Sequence, residues 1–221
     1  MAQIFQTTLV PAKLELIGDW LVRQPWYRGL RSPQLQPVGG YRLDDPAGEV
    51  GMEFHFVRDT SNGPDGPVYQ VPVTYRGAPA DEAGARLIGT TEHGVLGTRW
   101  VYDGAHDPVL VAELVALAVG RAQAQHQHES DRPEPTVTAR WTGVAPSSSA
   151  IRQVEDGGSS TVVTLDSSEP HELRIVRVLD GSTAEPPSRA GDSAGDSGGI
   201  VSAEWAAADG TRVVGPVALL T

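Results

Sequence analysis

The sequence predicts an α+β fold built mainly from antiparallel strands, and three observations predict it. Several short runs alternate apolar and polar residues with a period of two, as strands covered on one face do. One uninterrupted apolar segment, residues 108–119, has the length of a buried helix. Clusters of Gly, Pro, Asn and Asp separate the runs, in a chain of 221 residues with 25 Gly and 17 Pro.

Taken in order, residues 4–9 are apolar and Thr-rich and read as a strand. Residues 13–24 place Leu14, Ile17 and Leu21 at helical spacing beside Leu16 and Trp20, and Pro25 ends that helix. Over residues 49–58, Val50, Met52, Phe54 and Phe56 share one face while Glu53 and His55 take the other. Over residues 68–76, Tyr69, Val71, Val73 and Tyr75 alternate with Gln70, Pro72, Thr74 and Arg76. Both patterns predict a sheet covered on one side. Pro72 has no N–H to donate, so its strand is expected at an edge or with a bulge. Residues 87–91 and 95–102 form a further pair around His93 and Gly94. Asp107 is placed to cap a helix begun by Pro108 and ended by Gly120. That helix is apolar nearly all round, which predicts burial against the sheet. Residues 122–136 read as a linker, and residues 137–221 as a β-rich unit with strands over 137–143, 160–165, 173–179, 200–205 and 212–219. A Gly-, Ser-, Pro- and Asp-rich loop spans 182–198. The expected organisation is therefore an α+β domain over 1–121, the linker, and the β-rich unit.

The formal charge is −11, which argues against nucleic acid and against an anionic membrane surface, since both ask for a basic face. With no Cys, disulfides, thiolate chemistry and Cys-ligated zinc are excluded. The first residues do not form a secretory signal, and the longest apolar run is too short to span a bilayer and contains Glu113. A cytoplasmic protein is expected.

Three motifs occur in order. Residues 20–29 (WLVRQPWYRG) resemble the Trp-Leu, Gln-Arg-Trp-Phe, Gly-Lys signature of the maltokinase N-terminal cap. Residues 69–73 (YQVPV) resemble that family's Tyr-x-Val-Pro-Leu strand, and residues 101–108 (VYDGAHDP) its Tyr-Asp-Ala, Asp-Pro lead into the cap helix. The resemblance implies a cystatin-like cap, a curved antiparallel sheet packed on a helix, over roughly residues 3–120. Leu30 stands where the family has Lys, so no role of that lysine transfers.

The β-rich unit is similar, more loosely, to the first strands of a maltokinase N-lobe, through residues 151–163 (IRQVEDGGSSTVV) and 173–177 (LRIVR). In such a lobe a Gly/Ser loop covers ATP and a lysine on the third strand meets the phosphates. The remnant of that loop would be Gly157, Gly158, Ser159 and Ser160, with Arg174 at the lysine position, where guanidinium and ammonium are not interchangeable. Phosphoryl transfer also needs a catalytic Asp, a metal-binding Asn and a second metal-binding Asp. After Asp180 the sequence holds no His, so no His-x-Asp loop follows and a stand-alone cap without the kinase C-lobe is expected.

Residues 195–199 (GDSGG) look like the nucleophile loop of trypsin-type proteases, with His55 and Asp107 preceding Ser197 in that order. His55 lacks the expected context and Ile200 stands where Pro usually follows, so an accidental match in a repetitive loop is favoured. His126, His128 and Glu129 read as solvated linker, and no metal site or cofactor is expected. The densest polar and aromatic cluster is Arg99, Trp100, Tyr102, Asp103 and His106. It is either a sugar site, with Trp100 or Tyr102 stacked on a ring, or the packing that satisfies the start of the buried helix. The functional expectation is a non-catalytic, cap-like accessory protein of glycogen, maltose or trehalose metabolism acting on an α-glucan or trehalose-pathway enzyme. The alternative is a carbohydrate or small-metabolite binding module.

Overall fold

The computed structural model describes residues 9–29, 32–80, 86–181 and 198–221. Leu30, Ser197, most of the 182–198 loop and all but the last residue of the predicted 4–9 strand lie outside the described residues. The chain runs through β1 (Leu9–Val10), α1 (Lys13–Leu21), β2 (Leu35–Leu43), β3 (Gly51–Asp59), β4 (Val68–Arg76), β5 (Leu87–His93) and β6 (Gly97–Asp103). A 3₁₀ turn over Gly104–His106 leads into α2 (Pro108–Ala118). There follow β7 (Thr138–Thr142), β8 (Ile151–Asp156), β9 (Ser160–Leu165), β10 (Glu172–Val176), β11 (Val178–Leu179), β12 (Gly198–Ala206) and β13 (Arg212–Leu220). The α+β class with a predominance of antiparallel sheet is as predicted.

The first sheet has seven strands in the order β1-β5-β6-β4-β3-β2, with β11 added against β4. The second has six, ordered β7-β12-β13-β10-β9-β8. The predicted alternation of β3 and β4 is present, but the first sheet is covered on both faces. Val50, Met52, Phe54 and Phe56 belong to a core shared with α2 and the second sheet. Val57, Tyr69, Val71 and Val73 pack instead with Ile17, Trp20 and Leu21 of α1 and with Trp26. Helix α1 ends at Leu21, a turn before Pro25.

Helix α2 starts as its sequence dictates. The Asp107 carboxylate accepts from the Val109 amide at 3.0 Å, Pro108 occupies the first turn, and Gly120 closes the end at φ +76°. Its packing differs from a helix laid on a single sheet. It touches β2 of the first sheet but also β7, β12 and β13 of the second, because an all-apolar helix needs apolar cover on every side.

Strand β4 corrects the inference drawn from Pro72. It lies inside the sheet, with β3 along one side and β6 and β11 sharing the other. β11 pairs with Val68 and Tyr69, and β6 with residues from Val73 onward. The Gln70 amide bonds Arg177 O at 2.9 Å on that shared side. Two residues on, Pro72 turns its missing N–H to the same side, into the interval between β11 and β6. The proline is tolerated in a central strand because its neighbour changes there.

Residues 122–136 are fastened to the first sheet. Gln125 and Arg42 exchange backbone bonds at 2.9 and 3.0 Å, Gln127 Nε2 lies 3.1 Å from His55 Nδ1, and Ala124 is buried.

Candidate functional site

The interval between β6 and β11 is where polar chemistry gathers. β6 ends at Asp103 and β11 is preceded by Arg177, so the two side chains meet across the change of neighbour. Arg177 is fully buried, and its Nη2 donates to Asp103 Oδ1 at 2.8 Å and to Oδ2 at 2.6 Å. Nε donates to Thr161 Oγ1 at 2.7 Å, and the guanidinium lies over the Trp26 ring, 5.0 Å from its centroid. Trp26 packs edge-on to Trp20 and tilted against Tyr69. The three sequence motifs thus converge on one arginine: Trp26 from the first, the Gln70 backbone amide from the second, Asp103 from the third.

Asp103 also accepts from the Ala105 amide at 3.2 Å, which shapes the 3₁₀ turn and aims His106 back toward it. His106 Nε2 lies 3.9 Å from Asp103 Oδ2 and 3.6 Å from Asp156 Oδ2 at the end of β8. The other oxygen of Asp156 accepts from the Thr161 hydroxyl at 2.6 Å. The adjoining His106 ring, then the Thr161 hydroxyl and the Arg177 charge, hold the Asp156 carboxyl at about 2 despite partial burial. Asp103, His106 and Asp156 border a cavity of about 360 Å³ whose other walls are Trp20, Arg23, Gln24, Arg86 and Leu87. A cavity of this size is on the scale of small-molecule sites, with two arginines, an amide and an aromatic wall to meet hydroxyl or anionic groups.

Of the five predicted site residues, the structure joins Asp103 and His106 and separates the rest. Period-two alternation puts Trp100 and Tyr102 on the opposite face of β6 from Asp103. The Tyr102 hydroxyl accepts from the Ala80 amide at 2.8 Å, and Arg99 Nη2 donates to Leu96 O at 3.1 Å. Trp20 borders the cavity, not Trp100. Asp156, Thr161 and Arg177 went unsingled because they lie far away in sequence. The one local signal was the second arginine of the strand-like run LRIVR, residues 173–177.

Gly157 and Gly158 form the turn between β8 and β9, with the Gly157 amide on Ser160 O at 2.8 Å. Arg174 on β10 donates from Nη1 to Ser160 Oγ at 3.2 Å. Ser159, Ser160 and Arg174 border a second cavity, about 260 Å³, with Arg28 from the first motif. Among the described residues, His55 and Asp107 of the protease-like set are not paired with each other. His55 Nε2 faces Glu53 at 2.9 Å, while Asp107 is committed to Arg76 at 2.7 Å, to Thr74 and to the helix cap. Glu129 is engaged by Arg132 rather than by His126 or His128. Among the described residues, no helix is long and apolar enough to cross a membrane.

The family model of the maltokinase N-terminal cap domain matches residues 20–107. No curated protein matches the chain. The match opens at Trp20, on the cavity wall, and closes at Asp107, the cap of α2, so it takes in Asp103 and His106 but not Asp156, Thr161 or Arg177. Over residues 20–107 this chain carries a maltokinase N-terminal cap-like domain.

Proposed function

We propose that this chain is a non-catalytic accessory protein, related to the maltokinase cap, that acts in the cytoplasm on an enzyme of glycogen, maltose or trehalose metabolism. One observation supports the reading above the others. The segment matching the cap family is built into a single folded unit with a second sheet, through a shared core and the buried Asp103–Arg177 pair. A cap fixed to its own support is suited to docking on another protein. In the same reading, we take the first sheet with α2 as the counterpart of the cystatin-like cap that the resemblance implies. The test is affinity capture from a native lysate at several salt concentrations, followed by assay of the captured enzyme with and without added chain. Recovery of an α-glucan or trehalose-pathway enzyme whose rate or KM then changes is expected. Failure to recover any such enzyme sinks the proposal.

The cavity supports a second reading, a module for a carbohydrate or small metabolite bound against Trp20 with Arg23, Gln24, Arg86 and His106 as polar contacts. A ligand that binds the native state raises the melting temperature. Maltose, trehalose, glucosamine or maltooligosaccharides should do so in the unaltered chain and less in Arg86→Ala. ATP, with and without magnesium, probes the Ser160–Arg174 cavity in the same screen, and a saturable shift there would mark the Gly157–Ser160 turn as a working nucleotide loop.

A further inference from the structure

The two carboxylates beside His106 are both held by hydrogen-bond donors. Thr161 donates to Asp156 Oδ1, Arg177 Nη2 donates to both oxygens of Asp103, and the Ala105 amide donates to Asp103 Oδ1. His106 Nε2 lies between the two Oδ2 atoms, 3.6 Å from that of Asp156 and 3.9 Å from that of Asp103, which it shares with Arg177. One potential ligand atom from each of the three residues lies within 4.8 Å of the other two. The His106 side chain is only 6% exposed, yet Nε2 has no hydrogen-bond partner. An orphaned nitrogen buried between two carboxylates asks for an explanation.

An imidazolium would balance part of the charge, but 3.6 and 3.9 Å exceed the reach of an N–H···O bond. Ligand atoms bound tetrahedrally at about 2.0–2.2 Å from zinc stand about 3.3–3.6 Å apart. The two separations from His106 Nε2 are close to those of ligands around a common cation. We propose that His106, Asp103 and Asp156 form a site for a divalent transition-metal cation of the zinc class, with the position left by the three protein ligands facing the cavity. Imidazole with carboxylates selects such a metal over magnesium or calcium, which prefer all-oxygen shells. Arg177 and Thr161 are the outer partners that aim the carboxylates, as supporting groups do in metal sites. The site stands independently of the accessory role, since it rests on the geometry of the β6–β11 interval alone.

Calorimetric titration of the chelator-treated full chain with Zn²⁺ tests this. One equivalent of saturable binding is expected, preserved in a His126→Gln/His128→Gln variant that removes the surface histidines. His106→Asn and Asp156→Asn should each weaken it by more than about 100-fold, beyond the 10–100-fold typical of outer-partner changes. Asp156 is partly exposed, so its Asn variant keeps the test valid if His106→Asn misfolds. Co²⁺ in place of zinc should give a visible d–d absorption that both variants lose. No saturable Zn²⁺ binding to the unaltered chain overturns the site. Binding that survives at His106→Asn but vanishes without His126 and His128 does so as well.

Discussion

Replacing Arg177 with Met tests whether the buried Asp103–Arg177 pair ties the cap-like sheet to the second one. Methionine keeps much of the stem volume, so packing loss is small. The Asp103 carboxylate, 2% exposed, would keep only the Ala105 amide, and Thr161 Oγ1 would lose its donor. Removing one partner of a buried pair costs about 3–5 kcal/mol, and loss of the contact over Trp26 adds about 0.5–2 kcal/mol. For a chain of this size each kcal/mol moves Tm by roughly 2–4 °C, so a loss of about 4 kcal/mol predicts a fall of about 8–16 °C. Urea unfolding followed by far-ultraviolet circular dichroism and by tryptophan fluorescence gives the free energy directly. Asp103→Asn/Arg177→Met should be less harmful than the sum of its single changes, because a double cycle isolates the pair. A loss below about 1 kcal/mol for Arg177→Met, or strict additivity in the cycle, would refute the reasoning.

Two further predictions follow from buried carboxylates. Burial alone would raise the Glu53 carboxyl, but His55 and Lys13 outweigh it and bring it down to about 2. A depressed acid stabilises the fold above its unfolded value and loses that contribution as pH falls through its folded one. Glu53 should therefore contribute on the order of 3 kcal/mol at neutral pH, lost between about pH 5 and pH 2, and Glu53→Gln should flatten the acid limb of a stability–pH curve. An equally steep acid limb in the variant would count against this. Asp107→Ala removes the cap of α2 together with its bonds to the Arg76 fork and the Thr74 hydroxyl, a loss of about 2–4 kcal/mol by denaturant titration. Asp107→Asn, which keeps an acceptor for the Val109 amide, should cost clearly less.

Much of the first sheet was legible because its signals are local. The period-two runs of β3 and β4 and the Asp107–Pro108 start of α2 each depend on neighbours in sequence. β2 was missed because Pro37, Gly39 and Gly40 break its alternation, and the pairing with β3 shifts register at that place. Pro72 was misjudged because the rule for strand prolines concerns the partner strand, and nothing near Pro72 reveals that β11 and β6 divide that side. The cavity was half visible. Asp103 and His106 stood out as polar residues before a buried helix, whereas Asp156, Thr161 and Arg177 reach them only once β8, β9 and β10 have paired. Trp100 attracted notice as an aromatic three residues before Asp103, but strand residues an odd number apart point to opposite faces, and it is Trp20 that borders the cavity.

The same dependence on the second sheet bears on where the folding unit ends. A boundary at residue 121 follows from composition, yet the side chains that face it argue otherwise. Phe56 meets Trp205 of β12 with ring centroids 6.3 Å apart, and the core of Tyr41, Phe54, Leu110 and Leu114 continues into Leu173, Val201, Ala203 and Leu220. Uncovering a buried side chain of this kind costs about 1.5–3 kcal/mol. Four or five of them would consume the roughly 5–15 kcal/mol that holds an ordinary domain folded. A fragment of residues 1–121 should therefore show no cooperative thermal transition and should bind a hydrophobic dye, while the full chain unfolds in one step by both probes. A sharp transition with native-like near-ultraviolet circular dichroism in the fragment would contradict this. It would mean that the cap-like sheet is autonomous, and that the Asp103–Arg177 pair joins two finished domains instead of completing one.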